Sequence, residues 1–407
     1  MHYGWIVVTA CVLISTYYSG AVLLGFTAIF EPLIREFGWS YAQVSFVMSL
    51  RGMESGLLVP VAGVLMNRWG PRVLISSGAA IVGIGLTGLS QVNSLWAFYA
   101  WFIVVACGLS TATSSLLMAA VTGWFKKNLG FATGVACSGV AVGGLLIPLV
   151  TRLIDTLGWR AAILYMGIGM WLIPLPLSFL IKPSPYFKKN PTKGKDVPAS
   201  DTDKRLHRKT KDMDTREVLK STLFWTICFC FICQYLPVGA VVVHIMPFWT
   251  SIGIDRTTGS LLASLLPIIT VIGRIGFGWM ADRLGNKVMT MIAMTFIAFG
   301  SLLPAFLVDG NMWIIVPFMV IFGIGWGGTV PMLNGIVFDF YGSRNIASIV
   351  GFAGTAAMTG LIVGAPLAGW IYDRVGSYRP AWFFFAFVSG ASAILFSMFV
   401  CKRSLSR

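Results

Sequence analysis

A single arginine, Arg274, lies inside the apolar stretch LLPIITVIGRIGFGWM, residues 265–280. Its guanidinium group is always charged, and the planar fork of N–H donors matches the two oxygens of a carboxylate. A charge near the middle of a membrane costs roughly several kcal/mol unless it faces a protein interior, water or a partner of opposite charge. Arg274 therefore predicts either a binding site for a carboxylate or a structural ion pair, for which Glu54 is the candidate partner.

A second pair of charges, Arg51 and Glu54, lies in the segment SLRGMESG at residues 49–56. Positions three apart share one face of a helix, so the two side chains can pair. Glu54 is the candidate for a residue that carries a proton, or it is the structural partner of Arg51 or Arg274. Arg51 is in turn a candidate second contact for a bound anion.

Four other polar residues in apolar stretches are candidates for contacts with a bound solute: Gln234, Tyr235, His244 and Asn334. A histidine can titrate near neutral pH, so His244 is interpreted either as a packing residue or as a solute or proton site. Asn334 follows Pro331, and interrupted helices often line a cavity. For all four residues, simple packing between helices remains the alternative.

The composition is that of a membrane protein. Of the 407 residues, 57% are hydrophobic and 11% are charged, and the mean hydropathy is +0.81. A soluble protein is charged at about a quarter of its positions. Several apolar blocks exceed about 18 residues, the length with which a helix crosses roughly 30 Å of hydrocarbon, whereas a membrane β-barrel has short alternating segments. We therefore predict an all-α polytopic membrane protein.

Twelve apolar spans are predicted, six on each side of a basic loop. They cover residues 5–30, 41–66, 73–91, 96–121, 131–153, 161–181, 221–249, 258–281, 288–308, 312–338, 346–371 and 380–401. Residues 1–181 then form an N-terminal six-helix bundle, residues 182–220 a basic cytoplasmic linker, and residues 221–407 a C-terminal six-helix bundle.

The net charge of +15 is distributed as a topological signal rather than as a surface for nucleic acid. The linker holds twelve of the 30 Lys and Arg, and the loops on its side of the membrane, the linker included, hold 22. Basic loops stay on the cytoplasmic side, so both termini are predicted to be cytoplasmic, in a multi-pass protein of the cytoplasmic (inner) membrane. The linker itself is interpreted as a flexible segment beside anionic lipid.

The two predicted bundles repeat one another in sequence. GVLMNRWGPR at residues 63–72 matches GWMADRLGNK at residues 278–287 with an offset of 215, and LIDTLGWR at residues 153–160 resembles IYDRVGSYR at residues 371–379 with an offset of 218. Matches at nearly one offset, each between corresponding spans, indicate duplication of a six-helix unit. A duplicated bundle of this kind makes a site between its halves near the membrane midplane.

The loop pattern G-x-x-x-D-R-x-G-x-K/R resembles that of the major facilitator superfamily, and the resemblance covers the whole chain. It implies the major facilitator fold, with twelve transmembrane helices in two pseudo-symmetric six-helix bundles. The motif residues are Gly63, Asn67, Arg68, Gly70 and Arg72, then Gly278, Asp282, Arg283, Gly285 and Lys287. The Asp–Arg pair is interpreted as a charged latch at the cytoplasmic face, with simple topogenic charges as the alternative. Asn67 replaces the usual Asp and predicts a weaker first latch.

Two further segments resemble the monocarboxylate transporter and oxalate–formate antiporter group: YGWIVV at residues 3–8 and WFKKNLGFATGVACSGVAVGG at residues 124–144. Small residues permit close contact between helices. The glycines of the second segment are spaced four apart: Gly130 and Gly134, then Gly139 and Gly143. In this group an arginine of the eighth span holds the substrate carboxylate, and Arg274 occupies the matching position.

The resemblance implies a secondary transporter of a small carboxylate that works by alternating access. Arg274 has Val59 as its counterpart in the first half, which favours a role in binding over a role in the duplicated scaffold. Animal members have an Asp one turn before this arginine, where this chain has Thr270, so the usual proton carrier is absent. The eleventh span lacks the lysine of oxalate-type members, which favours a monocarboxylate such as lactate or pyruvate. Proton symport is the expected coupling.

Two alternatives stay open: an anion antiporter of the oxalate–formate type, and an exporter of other small organic compounds. The sequence has no catalytic constellation, no G-x-x-x-x-G-K-[ST] and no H-E-x-x-H, so we predict neither an enzyme nor a cofactor or metal site. The expected partners are a small organic anion, protons and the lipid bilayer, with the monomer as the functional unit.

Overall fold

The computed structural model describes residues 2–47, 68–112, 129–182, 215–307, 312–342 and 346–398, with isolated positions from 50 to 66 and from 117 to 125. Within these residues every regular element is helical. The α-helices are α1 (His2–Tyr18), α2 (Phe26–Phe37), α3 (41–47), α4 (Pro71–Leu89), α5 (Leu95–Leu109), α6 (Leu129–Val142), α7 (Ile147–Leu157), α8 (Trp159–Leu172), α9 (Pro174–Ser178), α10 (Thr215–Leu219), α11 (Thr222–Ser251), α12 (Arg256–Leu284), α13 (Asn286–Leu302), α14 (Ile315–Tyr341), α15 (Ile346–Val375) and α16 (Arg379–Phe396).

Ten helical stretches in this part of the chain are long and apolar enough to span a membrane. The first runs from Tyr3 to Phe37, beyond the predicted end at residue 30. It continues because Phe30 and Leu33 are buried on one face of α2, which keeps the turn around Pro32 helical. Most of the second predicted span, residues 41–66, lies outside the described residues.

The sixth predicted span is interrupted. Helix α8 ends at Leu172 and α9 begins at Pro174. A proline has no backbone N–H, so the carbonyl four residues earlier loses its helical partner at this point. Residues Trp159–Ser178 still count as one apolar stretch of spanning length, so the predicted sixth span is present and contains a break in its helix at Ile173.

Loop glycines repeat between the two halves of the sequence. Gly70 and Gly285 are 215 residues apart and have φ of +85° and +84°. Their N–H groups donate to Met66 O and Ala281 O, each at 2.9 Å. Positive φ at the end of a helix is a conformation that favours glycine. The repeated loop motif therefore has the same backbone geometry in both copies.

A second pair of glycines shows the same correspondence. Gly158 and Gly376 are 218 residues apart, with φ of +82° and +72°. Gly158 N–H donates to Ile154 O at 2.8 Å, and Gly376 N–H donates to Tyr372 O at 2.7 Å. Two motifs that match in sequence at nearly one offset thus also match in hydrogen bonding, as duplication of a six-helix unit predicts.

The chain divides into two compact units whose boundaries do not coincide with the predicted linker. The first comprises Met1–Lys193 and Val242–Ile268, and the second comprises Gly194–Val241 and Ile269–Arg407. Helices α11 and α12 therefore each contribute one end to the first unit and the other end to the second. The predicted division into bundles at residues 182–220 stays a prediction about the sequence repeat.

In the first unit, α1 and α6 touch backbone to backbone. A Cβ at Gly139 would lie 2.5 Å from Val12 O, and one at Gly143 would lie 2.7 Å from Thr16 O. The Thr16 hydroxyl donates to Gly139 O at 3.1 Å, and the Ser19 hydroxyl donates to Val140 O at 2.8 Å. The close contact predicted for the glycines of this segment is thus present at Gly139 of α6 and at Gly143, which begins the 3₁₀ turn after α6.

The first transmembrane helix changes its winding between α1 and α2. Residues Ser19–Leu24 form a π-helical segment, in which the chain makes wider turns than in an α-helix. Gly20 lies within this segment and Gly25 directly follows it. The carbonyl oxygen of Gly20 occupies the position that a Cβ on Gly25 would need. Glycine at residue 25 is therefore a requirement of this winding.

Candidate functional site

Arg274 lies on the packed side of α12 but is itself exposed. Residues three, four and seven positions away share its face, and these neighbours, Thr270, Phe277 and Ala281, are all buried. The exposed apolar side chains of α12 form another stripe: Leu261, Leu265, Ile272, Ile275 and Trp279. The guanidinium group therefore reaches solvent-accessible space on the side of the helix that faces protein, away from the apolar stripe that suits lipid.

The backbone around Arg274 is held by close contact between α12 and α14. A Cβ at Gly327 would lie 2.8 Å from the Arg274 nitrogen, and one at Gly273 would lie 2.8 Å from the Ile324 Cα. Both contacts involve main-chain atoms, which cannot move aside as a flexible side chain can. The helix pair therefore fixes the position from which the arginine side chain extends.

Tyr235 is the predicted site residue that the structure brings to Arg274. This buried tyrosine of α11 interacts electrostatically with Arg274 and shares a side-chain hydrogen bond with Thr329 of α14. The Thr329 hydroxyl in turn donates to Trp326 O at 2.7 Å. Because the Thr329 proton is used for Trp326 O, the Tyr235 hydroxyl is the donor to Thr329. The guanidinium of Arg274 is therefore the group of this cluster that can donate to an anion.

Arg274 has no ion pair with any carboxylate among the residues that the structure describes. The alternative partner, Glu54, lies outside those residues, as does Arg51. An exposed guanidinium without a carboxylate can bind an anion without first breaking an ion pair. This is the electrostatic condition that a carboxylate site requires.

Gln234 has a different surrounding from its neighbour Tyr235. Its side chain is fully buried, and Nε2 donates to Ser389 O at 2.9 Å and to Ser392 Oγ at 2.7 Å. These contacts connect α11 to α16. Successive residues of a helix point in different directions. Tyr235 therefore interacts electrostatically with Arg274, whereas Gln234 is hydrogen-bonded to α16.

The remaining predicted contacts are His244 and Asn334. His244 belongs to the first unit, where it is fully buried with its ring 5.0 Å from that of Phe30 and 6.5 Å from that of Tyr41. Asn334 is exposed on α14, seven residues after Gly327 and thus roughly 10 Å farther along the helix. The roles of His244 and Asn334 in binding a solute therefore stay predictions.

The second copy of the loop motif does not form an ion pair within the described part of the chain. Asp282 and Arg283 are both exposed, and the Arg283 guanidinium carbon lies 3.9 Å from the centre of the Trp279 ring. Lys287 lies 4.8 Å above the Phe340 ring. The contact of Arg283 within the described residues is thus with Trp279, and the Asp–Arg latch stays a prediction.

The first copy is described only in part. Arg72 lies 4.9 Å from the centre of the Phe179 ring, and Arg68 is exposed. Gly63 and Asn67 lie outside the described residues, so the expected weakness of this latch stays a prediction.

Helix α12, which carries Arg274, begins with a side-chain cap. Asp255 accepts a hydrogen bond from the Thr258 N–H at 3.0 Å. Hydrogen bonds from the Thr258 side chain and backbone hold the pKa of the Asp255 carboxyl below its usual value. The charged carboxylate is therefore the form that stabilises the start of the helix.

Replacing Asp255 by alanine is expected to lower the thermal unfolding midpoint at neutral pH, because the N–H groups of the first turn lose their acceptor. Because its folded-state pKa is depressed, the contribution of Asp255 is present above the usual pKa of Asp and is lost as the pH falls through the lowered value. The difference in midpoint between wild type and variant, measured by scanning fluorimetry, should therefore shrink under acidic conditions. A constant difference at every pH would contradict the cap.

Comparisons with known proteins agree on one class. The family model described as the Major Facilitator Superfamily matches residues 7–357 and 227–405. Monocarboxylate transporter 12 of Xenopus laevis is 27% identical over 410 residues, which cover 97% of this chain and 87% of the relative. The oxalate:formate antiporter of Oxalobacter formigenes is 24% identical over 374 residues, which cover 91% and 86%.

Among solved structures, the nucleoside transporter NupG aligns with a TM-score of 0.74 at 16% identity, over 98% of this chain and 99% of that one. At such low identity this likeness shows a shared fold alone.

Thr329 is the residue of the site that the sequence did not single out. A lone threonine in an apolar helix has many structural uses, and only the contact with Tyr235 distinguishes it.

Proposed function

We propose that this chain, which belongs to the Major Facilitator Superfamily, carries a small monocarboxylate such as lactate or pyruvate across the membrane by alternating access. The predicted family and helical fold are confirmed, and the protein is a multi-pass membrane transporter rather than an enzyme. The observation that carries the proposal is Arg274, an exposed arginine on the packed side of α12 with no carboxylate partner in the described chain.

The chemistry of this position supports an anion as the transported solute. The guanidinium offers a fork of N–H donors to a carboxylate, and the Tyr235 hydroxyl, which interacts with both Arg274 and Thr329, adds a polar group to its surroundings. Binding of the anion neutralises the arginine, which lowers the electrostatic barrier to enclosing the site. The names of the relatives, monocarboxylate transporters and an oxalate:formate antiporter, agree with a small organic anion.

Within this proposal the solute has one carboxylate. Between Asn345 and Arg374 the chain contains no lysine or arginine, so a second cation for a dicarboxylate would have to come from Arg51. Exchange of two anions is the second candidate mechanism, because one relative is an oxalate:formate antiporter. Export of other small organic compounds is the remaining alternative.

The proposed topology places both termini in the cytoplasm and the protein in the cytoplasmic (inner) membrane, because the predicted loops on one side hold 22 of the 30 Lys and Arg. The proposed coupling is proton symport, with Glu54 as the candidate proton carrier from the sequence. The monomer is proposed as the functional unit, since each chain would contain a complete site.

The proposal is tested with purified full-length protein in liposomes. Uptake of labelled lactate, pyruvate, formate and oxalate is measured with and without an inward proton gradient, and again with unlabelled anion preloaded inside. Gradient-stimulated uptake of lactate or pyruvate supports proton symport. Uptake that depends on internal anion and ignores the gradient establishes exchange instead. Uptake of none of the four acids would overturn the carboxylate assignment.

Replacing Tyr235 by phenylalanine is expected to raise the KM for carboxylate uptake by roughly threefold to tenfold. The variant loses the hydrogen bond to Thr329 and the interaction with Arg274 that hold the surroundings of the guanidinium, and one hydrogen bond is worth about 0.5–1.5 kcal/mol. The rate at saturating solute should change little, since the aromatic ring still fills its buried position. Thr329→Val, which removes the hydroxyl that Tyr235 contacts, provides the matched comparison and should show a smaller rise. An unchanged KM in Tyr235→Phe would remove this residue from the site.

A further inference from the structure

Pro32 leaves one backbone carbonyl of α2 without a partner in its own helix. A proline has no N–H to donate to the carbonyl four residues earlier, which here is Ala28 O. Arg256 Nη2, at the start of α12, donates to Ala28 O at 3.1 Å. The orphaned acceptor of one helix is thus satisfied by a side chain from another.

Pro247 creates the same situation in α11, where the carbonyl left without an N–H partner is Val243 O. The Thr27 hydroxyl of α2 donates to Val243 O at 2.9 Å and accepts a hydrogen bond from the Met246 N–H at 3.2 Å. Ala28 O of α2 and Val243 O of α11 thus both lack an N–H partner because of a proline. Both accept hydrogen bonds that join α2 to the adjoining ends of α11 and α12.

The guanidinium group of Arg256 also joins two carboxylates. Its Nε donates to Asp155 Oδ1 of α7 at 2.9 Å, and Nη1 donates to Glu31 Oε2 of α2 at 3.2 Å. The side chains of Arg256, Glu31 and Asp155 are 21%, 9% and 40% exposed. Ion pairs that are partly shielded from water and hydrogen-bonded are stronger than surface pairs.

Apolar contacts add to these hydrogen bonds and ion pairs between helices of the two sequence repeats. A Cβ at Gly144 would lie 2.8 Å from Pro267 Cγ, and the His244 ring packs edge-on against Phe30 at 5.0 Å. All these residues belong to the first compact unit. In sequence, however, they connect helices of the first repeat with residues 243–267 of the second repeat.

We propose that the contacts of Arg256 and Thr27 form a gate that closes the extracytoplasmic end of the transport path and breaks once in every cycle. In the proposed topology these residues lie on the side opposite the basic loops. Alternating access requires contacts of this kind, which join the two repeats at one end of the path and break when that end opens. The inference rests on the family and not on the identity of the solute.

The gate can open without leaving a bare buried charge. Glu31 has a second cationic neighbour, Arg35, on the same helix at 3.6 Å, and the Arg35 side chain is 72% exposed. When Arg256 withdraws, Glu31 keeps this partner, and Asp155 is already partly in water. The energy difference between closed and open gate is therefore small enough to be crossed repeatedly.

The test measures opening directly, with no solute present. The substitution Val243→Cys introduces a thiol at a side chain that is 1% exposed within the gate, and the protein is placed in lipid nanodiscs, where both faces are accessible. The rate of labelling by a polar maleimide is compared with that of the protein without the new cysteine. This readout stays valid even if the transported solute is not a carboxylate.

In the Val243→Cys background, Arg256→Gln is expected to raise the labelling rate at residue 243 about tenfold, which corresponds to about 1.4 kcal/mol in the opening equilibrium. Arg256→Lys should give an intermediate rate, because one ammonium group cannot serve three acceptors in fixed directions. Pro32→Ala should raise the rate about twofold to threefold, because it restores an N–H that competes for Ala28 O.

Arg160→Gln is the matched control. Arg160 also forms an ion pair, with Glu36, and donates to Asn93 Oδ1 at 3.0 Å, but all three residues belong to the first repeat. Its labelling rate should stay within about twofold of the parent, since repeat-internal pairs do not join the two halves. Equal rates for Arg256→Gln and its parent, or an equal rise in Arg160→Gln, would overturn the gate. If Arg256→Gln does not yield folded protein, Asp155→Asn serves in its place, and an unchanged rate there is equally decisive.

Discussion

Replacement of Arg274 by alanine is expected to reduce carboxylate uptake at least about 100-fold. Two charge-assisted hydrogen bonds, each worth about 1.5–3 kcal/mol, disappear together with the only positive charge that the described part of the site directs at the solute. A loss of about 2.7 kcal/mol already corresponds to this factor. Initial rates of lactate or pyruvate uptake into proteoliposomes, over a range of solute concentrations, provide the measurement.

The comparison needs two companion variants. Arg274→Lys keeps the charge but loses the planar fork, so uptake should be partly retained with a raised KM. Arg152→Ala removes the same charge from an exposed position on α7 and should leave uptake close to wild type. Retention of more than half of the wild-type rate in Arg274→Ala would refute the assignment of this residue, whatever the solute.

Replacement of Gly143 by alanine is expected to destabilise the protein by about 1–3 kcal/mol, the usual range for overpacking a close contact. A Cβ there would lie 2.7 Å from Thr16 O and 2.8 Å from Gly20 N. Both are main-chain atoms, so the relief must come from separating α6 from the first helix. Gly143→Val should lower the unfolding midpoint further, as measured by scanning fluorimetry in detergent.

Gly354 of α15 is the matched control for this substitution. A Cβ at that position would meet no atom within 4 Å. Alanine is favoured over glycine inside a helix by about 0.5–1 kcal/mol, so Gly354→Ala should leave the midpoint unchanged or raise it slightly. If both alanine variants behaved alike, the contact between α6 and the first helix would not be the cause.

The fold was accessible from the sequence because its signals are local and repeated. Apolar blocks of spanning length and the loop motif at an offset of 215 predict the class and the duplication. Gly70 and Gly285 then show the same backbone geometry in both copies. Helix breaks were harder to place: nothing in the apolar pattern distinguishes Pro174, which interrupts a span, from Pro32, around which the chain stays helical.

The site was predictable only where a charge marked it. Arg274 stands out in an apolar stretch, whereas the direction of each neighbouring polar side chain depends on helix rotation. Gln234 and Tyr235 were equivalent candidates in sequence, yet one contacts α16 and the other lies beside Arg274. One residue of rotation, about 100° around the helix, separates these outcomes.

The gate contacts were missed for a related reason. Arg256 and Asp155 lie at helix ends, and Glu31 directly follows the predicted end of the first span at residue 30. Charges are usual at such positions and carry no signal of their own. Their acceptor, Ala28 O, is a backbone atom whose availability depends on Pro32 four residues later. Prolines in transmembrane helices thus indicate which carbonyls are free, but the donor that uses them becomes evident only in the folded chain.

The π-helical segment Ser19–Leu24 has a consequence for the length of the first helix. A π turn accommodates one more residue than an α turn, so this segment can lose a residue and become α-helical without rotating the parts on either side. Thr16 would still face α6 and Thr27 would still face α11. The same deletion within α1 or α2 would turn one part against the other by about 100° and separate one of these threonines from its acceptor. Variation in the length of this helix among relatives is therefore expected to concentrate at the widened turn.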